Sequence, residues 1–391
     1  MGGVSVTKQL FIQTEQQRQW LGKLATVEES FKARAQEVDE QATFPSENYA
    51  DLRDLGYMKI TLPKEEGGEG FTLYDAILVH ETLASYCGST GLAMAWTIQN
   101  VGELFENRYW SEEKLTQLAK AVKNGATINR AVSEFAMGSP VRGGRPATTA
   151  VRNDQQWVLT GRKNYTTGSP ELDFFLVSAW VEEKDQVGFF LVQKEATGLK
   201  IEETWDVISM RGTGSHDLVL DQVQVEASDL VELPNYNTGF KLNGWLLLIP
   251  ATYLGIAQAA RDYALEFANS HSPNSINGTI GQLPNVQALI GEIELELAKA
   301  RYTLYGVASL YERTTEKQLL VDEINIAKHI VTNAALTVVD KAMRIVGAKS
   351  LQRTNPLQRY YRDIRAGLHN PPMDDITIKK LAESALVENK K

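Results

Sequence analysis

A chain of 391 residues, 43% hydrophobic and 23% charged, has the composition of packed globular domains, and its length suggests two or three of them. Lysine and arginine total 40 against 49 aspartates and glutamates, and the resulting net charge of −9 gives no support to nucleic acid or an anionic membrane surface as partner. Cys87 is the only cysteine, which excludes an intramolecular disulfide and a thiolate metal cluster.

The amino terminus, Met1-Gly2-Gly3-Val4-Ser5, lacks a basic stretch followed by an apolar one, so no secretion signal is read there. No apolar run approaches the roughly 18 residues of a spanning helix, and the expectation is a soluble cytoplasmic protein without a membrane span. Residues 1–125 read as helices. Gln9–Val38 is polar and amphipathic, and Ser46–Leu55 is a short helix with Ser46 as its expected N-cap. Leu62–Gly70 is a loop by its Pro and Gly content. Leu73–Tyr86 resumes helical spacing, Gly91–Phe105 is apolar as a buried helix would be, and Ser111–Lys123 opens on Ser with acidic residues in its first turn.

The periodicity then changes. Thr127–Val132, Gln156–Leu159, Leu172–Val181, Val187–Gln193 and Leu218–Val225 have strand composition, with turn residues such as Gly143-Gly144 and Gly212-Thr213-Gly214 between them. After this β module, residues 126–232, helical spacing returns over residues 233–391. Phe240–Asn269, Val286–Arg313, Glu316–Val346 and Asp374–Glu388 suggest a four-helix bundle, punctuated by Pro284, Gly347 and Pro356. Pro250 should kink or break the first of them. The fold class is therefore α+β and multidomain: an N-terminal helical domain, a middle β-barrel-like domain and a C-terminal four-helix bundle. The five histidines show no metal-ligand spacing, and no Gly-x-Gly-x-x-Gly, P-loop or Gly-x-Ser-x-Gly motif occurs.

Five segments in this order carry a resemblance. They are Leu62–Gly70, Ser133-Glu134-Phe135-Ala136-Met137-Gly138-Ser139, Gly161–Gly168, Met210–Ser215 and Arg362-Asp363. Together they are similar to the Leu-Pro-x-x-x-Gly-Gly-x-Gly, Thr-Glu-Pro-x-x-Gly-Ser, Gly-x-Lys-x-Trp-Ile-Thr-Asn, Arg-Gly-Ser/Thr and Arg-Asp motifs of the acyl-CoA dehydrogenase flavoprotein superfamily. The resemblance implies a bound FAD at the seam between the β module and the helices. It places Val132, Ser133 and Ser139 on one crossing, and Tyr165, Thr166 and Thr167 on the other. Hydroxyls and backbone N–H groups would bond the flavin edge there, and Tyr165, where the family usually has Trp, would cover one ring face. It further implies a homotetramer or homodimer that shares the flavin across an interface. The family's pyrophosphate-binding Arg has no counterpart in Asn277–Gly281; Arg344, beside Gly347 in the segment resembling Gln-x-x-Gly-Gly, is the expected substitute.

The chemistry departs from the pattern. A dehydrogenase needs a carboxylate to remove the α-proton, yet the two family positions for it fall on Pro371 and Trp245. Asp374 and Asp375 are the alternative bases, against a stronger claim as the N-cap of the closing helix after Pro371-Pro372-Met373. Asn243 and Leu246 replace the acidic and basic pair that contacts acyl-CoA. His369, in a His-x-Pro after the Arg-Asp, is similar to the flavin monooxygenase branch of the superfamily, where His helps manage a proton during oxygen chemistry.

The leading expectation is α,β-dehydrogenation of an acyl-CoA in fatty acid metabolism, with electrons leaving to an acceptor flavoprotein or to oxygen. The alternative is a monooxygenase acting on another small organic substrate with reduced flavin, FMN included, and oxygen. The third reading is a scaffold without activity.

Overall fold

In the computed structural model the described residues are 6–136, 144–234 and 243–388. The N-terminal part contains α1 (Val6–Gln9), α2 (Glu15–Ala25), α3 (Glu28–Gln41), α4 (Ser46–Leu55), α5 (Leu73–Tyr86), α6 (Gly88–Asn107) and α7 (Glu112–Lys123). The single helix expected over Gln9–Val38 is two, α2 and α3, and α2 begins at a capping box between Thr14 and Gln17. Ser46 is not a cap but the first helical residue of α4, because Pro45 occupies the cap position. Ser111 does cap α7, accepting from the Lys114 amide at 3.3 Å.

The middle part holds β1 (Ile128–Ala131), β2 (Thr149–Asn153), β3 (Gln156–Thr166), β4 (Phe174–Val181), β5 (Gln186–Gln193), β6 (Leu199–Glu202), β7 (His216–Glu226) and β8 (Leu230–Glu232). They form one sheet in the order β6-β7-β3-β2-β4-β5-β8, with β1 running parallel beside β4. β4 shows why the module sits where it does. Its residues alternate between two cores: Phe175 and Val177 point into the sheet's own core with Trp157, Phe190 and Leu220, while Phe174 and Leu176 meet Val101, Phe105 and Leu118 of α6 and α7. The strands that patterning missed, β2, β6 and β8, are three to five residues long and mostly exposed or half-buried, so too few core positions mark them in the sequence.

The C-terminal part consists of α8 (Leu248–Ser270), α9 (Pro284–Arg313), α10 (Val321–Val346), α11 (Pro356–Ile364) and α12 (Asp374–Glu388). Pro250 neither kinks nor breaks α8, because the helix starts only two residues earlier and Pro in a first turn forfeits no intrahelical bond. Pro356 opens a helix, α11, where punctuation alone was expected, with Asn355 capping the Leu357 amide. The two helical parts share one hydrophobic core, in which Trp20, Leu83 and Ile98 belong with Tyr253, Leu304 and Val331. α5 and α8 approach so closely at Gly255 that a Cβ there would lie 2.4 Å from the Glu81 carbonyl oxygen. Among the described residues no helix is long and apolar enough to cross a membrane, and no His, Cys, Asp and Glu grouping fits a metal.

Candidate functional site

The two crossings matched to the flavin segments are stitched together. Val132 and Ser133 extend β1, and the Asn164 amide donates to the Ser133 carbonyl at 2.9 Å. Glu134 turns inward and accepts from Lys163 Nζ at 2.5 Å, the Thr148 hydroxyl at 2.7 Å and the Ala147 amide at 2.6 Å. Lys163 is fully buried and also donates to Ser178 at 3.0 Å. Burial alone would raise the Glu134 carboxyl, but the Lys163 hydrogen bond and charge outweigh it and hold the group below its ordinary value.

A β-bulge follows Lys163, and Tyr165 adopts φ +57° there, a left-handed conformation that swings its ring outward. The ring is 59% exposed and stands edge-on to Trp205 at 6.0 Å. Beside it Thr167 shares a hydroxyl chain with Ser215 at 2.9 Å and Thr213 at 2.8 Å, while Asn129 fixes its carbonyl at 2.9 Å. Two buried polar atoms here, Thr166 Oγ1 and Asn164 Oδ1, have no protein partner. An unmet buried group costs about 1–3 kcal/mol, so the loops fit a ligand edge that carries donors and acceptors, as a flavin does. Ser139 lies outside the described residues.

The residues expected on the other ring face have contacts of their own within the helical parts. Trp245 is buried, with its ring on Gly102 of α6 and its indole N–H donating to Glu106 at 2.5 Å. Pro371 precedes Pro372 through a cis bond. Asp374, offered as a base, begins α12 and is held on α10 by Asn333 at 3.0 Å and His329 at 3.1 Å. Those two partners outweigh its partial burial and lower its carboxyl, the wrong direction for a proton acceptor. Asp375 follows it on the exposed side of the helix, and His369 is exposed on the preceding turn. The loop between them is pinned by the Tyr253 hydroxyl on Asn370. Arg344 is exposed at the end of α10 and pairs with Asp340 at 2.8 Å; Gly347 follows at φ +69° as the helix cap. Arg362 grips Asp39 and the Ile208 carbonyl, and Asp363 accepts from the Met210 amide at 2.6 Å, so this pair ties α11 to α3 and the 208–213 turn. It is a clamp between domains.

Sequence reasoning missed a polar cluster where β1 faces α6. Arg130 binds Glu232 with two hydrogen bonds of 3.0 and 3.1 Å and Asn100 with a third of 3.1 Å. Glu103 lies 3.8 Å from Arg130 and accepts from Tyr109 at 3.2 Å. Burial, with Glu232 adding to it, pushes its carboxyl above the usual range despite Arg130. Polar residues at three- and four-residue spacing inside an apolar helix were the available signal.

Three helical and β layers with a hydrogen-bonding seam between them define a flavoprotein-type oxidoreductase fold. Family profiles place the chain by name: the acyl-CoA dehydrogenase N-terminal domain matches residues 14–113, the middle domain 129–223 and the C-terminal domain 247–370. The chain belongs to the acyl-CoA dehydrogenase superfamily. It is 56% identical over 376 residues, 96% of this chain and 99% of the other, to YdbM of Bacillus subtilis (strain 168), whose acyl-CoA dehydrogenase name is itself provisional. Among solved structures it superposes on butyryl-CoA dehydrogenase from Megasphaera elsdenii with a TM-score of 0.86 at 19% identity, covering 96% and 99% of the two chains. It also superposes on dibenzothiophene monooxygenase from Paenibacillus sp. A11-2 with a TM-score of 0.82 at 22% identity, covering 95% and 97%. The fold thus accommodates both chemistries considered above.

Proposed function

We propose that this chain is a flavin-dependent oxidoreductase that works with reduced flavin and oxygen on a small organic substrate, rather than an α,β-dehydrogenase of acyl-CoA. One observation carries this reading: neither dehydrogenase base position can accept a proton. Trp245 is committed to Gly102 and Glu106, Pro371 has no ionisable group, and Asp374, three residues further on, is tied to α10 with a lowered pKa.

Bound FAD, or FMN, supplies two-electron redox chemistry. This chain's own residues prepare its place. Tyr165 would cover a ring face, Thr166 and Asn164 would meet the flavin edge with otherwise unpartnered atoms, and Val132, just beyond β1, would wall the seam. His369, exposed on the loop after α11, is the group available to carry a proton on a ring nitrogen. Arg344 and Gly347 would reach the flavin phosphates of a neighbouring subunit in a homodimer or homotetramer, since Arg344 is exposed and its ion pair is to Asp340 on its own helix.

The test is anaerobic and then aerobic. Protein loaded with FAD, and separately with FMN, is titrated with butyryl-CoA and palmitoyl-CoA without oxygen. It is then reduced externally and mixed with oxygen. The expected result is no bleaching by either thioester and rapid oxygen consumption, with peroxide released faster in His369→Ala. Bleaching by an acyl-CoA would sink the oxygen reading and restore the dehydrogenase, with an acceptor flavoprotein as its electron partner.

A further inference from the structure

Helix α12 lies antiparallel along α10. Asp374 at its start reaches Lys328, His329 and Asn333, while Lys380 and Glu383 further along stand opposite Gln318 and Asp322. This register sets Thr377 against Asn325. A helix docked on a neighbour ordinarily buries an apolar stripe and leaves its polar side in water. α12 is turned the other way. Ile378, Leu386 and Val387 are exposed, whereas Thr377, on the inner side, is buried.

The surface that α12 covers is polar as well. Asn325 and Lys328, one turn apart on the same face of α10, are both buried. The Lys328 ammonium has no hydrogen-bond partner, and neither has the Thr377 hydroxyl nor either polar atom of the Asn325 amide. Asp374 is the counter-charge, but it stays 3.9 Å from Lys328 and is committed to His329 and Asn333. Burial outweighs its attraction and pushes the Lys328 ammonium down to about 8. Unmet groups of this kind penalise the closed interface and are relieved once water enters. Beyond Thr377 the two helices part across a groove of about 370 Å³, lined by Gln318, Asp322, Lys380 and Glu383 with their neighbours.

α12 is thus fastened at its start, penalised in its middle and parted from α10 further along. We propose that α12 is a flap that swings off α10 about the 370–373 loop, and that buried Lys328, Asn325 and Thr377 keep its docked state only slightly more stable than the open one. His369 lies on the loop that leads into this helix, next to Asn370, which the Tyr253 hydroxyl holds. Opening releases the loop's trailing end at Asp374 while Tyr253 keeps its leading end in place. The motion belongs to the helical part and does not depend on which flavin reaction runs.

Hydrogen exchange on the full chain without denaturant, read by mass spectrometry, reports this opening directly. The amides of residues 378–382 should exchange at least ~100-fold faster than those in the middle of α10. Lys328→Met removes the unmet ammonium at similar volume and should slow exchange over 378–382 by about tenfold. Thr377→Val should slow it in the same direction, which keeps the test alive if the first variant folds poorly. Asp374→Ala cuts the fastening and should speed exchange. Exchange over 378–382 as slow as in α10, or faster exchange in Lys328→Met, would overturn the proposal. Fraying from the chain end predicts rates that neither Lys328→Met nor Thr377→Val changes, and that result overturns it too.

Discussion

Lys163→Met tests whether the two flavin crossings depend on one buried ion pair. Lys163 is fully buried, and its ammonium touches Glu134 at 2.5 Å and Ser178 at 3.0 Å. Methionine fills a similar volume, so packing changes little while both hydrogen bonds vanish. Glu134 would remain charged and buried, keeping its bonds from Thr148 and Ala147 but losing its counter-charge. Removing one partner of a buried pair costs about 3–5 kcal/mol, whereas removing both is often close to neutral. At about 2 °C per kcal/mol, the scale for larger domains, the single variant should melt roughly 6–10 °C lower. The double variant Lys163→Met with Glu134→Gln should recover more than half of that, and the difference in a double-mutant cycle measures the coupling. Thermal melts followed by near-ultraviolet circular dichroism, together with flavin retained after gel filtration, provide the readouts. A single variant within about 1 kcal/mol of the parent, or a double variant no better than the single, would refute the reasoning.

Thr166→Val replaces a buried, unpartnered hydroxyl with a methyl group, so the flavin-free protein should be equally stable or about 1 kcal/mol more so, while flavin affinity falls roughly tenfold; unchanged flavin dissociation would show that this hydroxyl does not meet the cofactor. Gly102→Ala would place a Cβ 2.6 Å from the Trp245 ring, and a loss of about 1–3 kcal/mol is expected in a urea titration, along with a red-shifted tryptophan emission. Asp363 is fully buried, and burial outweighs the Met210 amide and its arginine neighbours to push its carboxyl up to about 6. A folded pKa above the unfolded value means that the native state holds the proton longer, so this group makes stability fall as pH rises from about 4 to about 6. Asp363→Asn should flatten that slope in melts taken across the window, and an unchanged slope would assign it to other groups.

The sequence alone carried the cofactor site further than the reaction. Motifs around Glu134, Lys163–Thr167 and Met210–Ser215 are contiguous stretches whose geometry is set locally, by a bulge at Tyr165 or a hydroxyl chain at Thr167, so their positions could be read along the chain. Helices such as α7 and α9 were legible for the same reason, since one buried face writes a period of 3.6 into consecutive residues.

What only the tertiary structure decided depends on residues far apart in sequence meeting. Asp374 reads as a helix cap with a base as the lesser alternative until α12 is laid on α10 and His329 and Asn333 close on it. Trp245 is merely a missing glutamate until Gly102 and Glu106, about 140 residues away, are found beneath its ring. The polar groups around Glu103 come from α6, β1, β8 and the entry to α8, and nothing in any one of those segments shows that they meet. Local periodicity records which face of an element is buried. It does not record which other element buries that face, and the chemistry at this seam is set by that pairing.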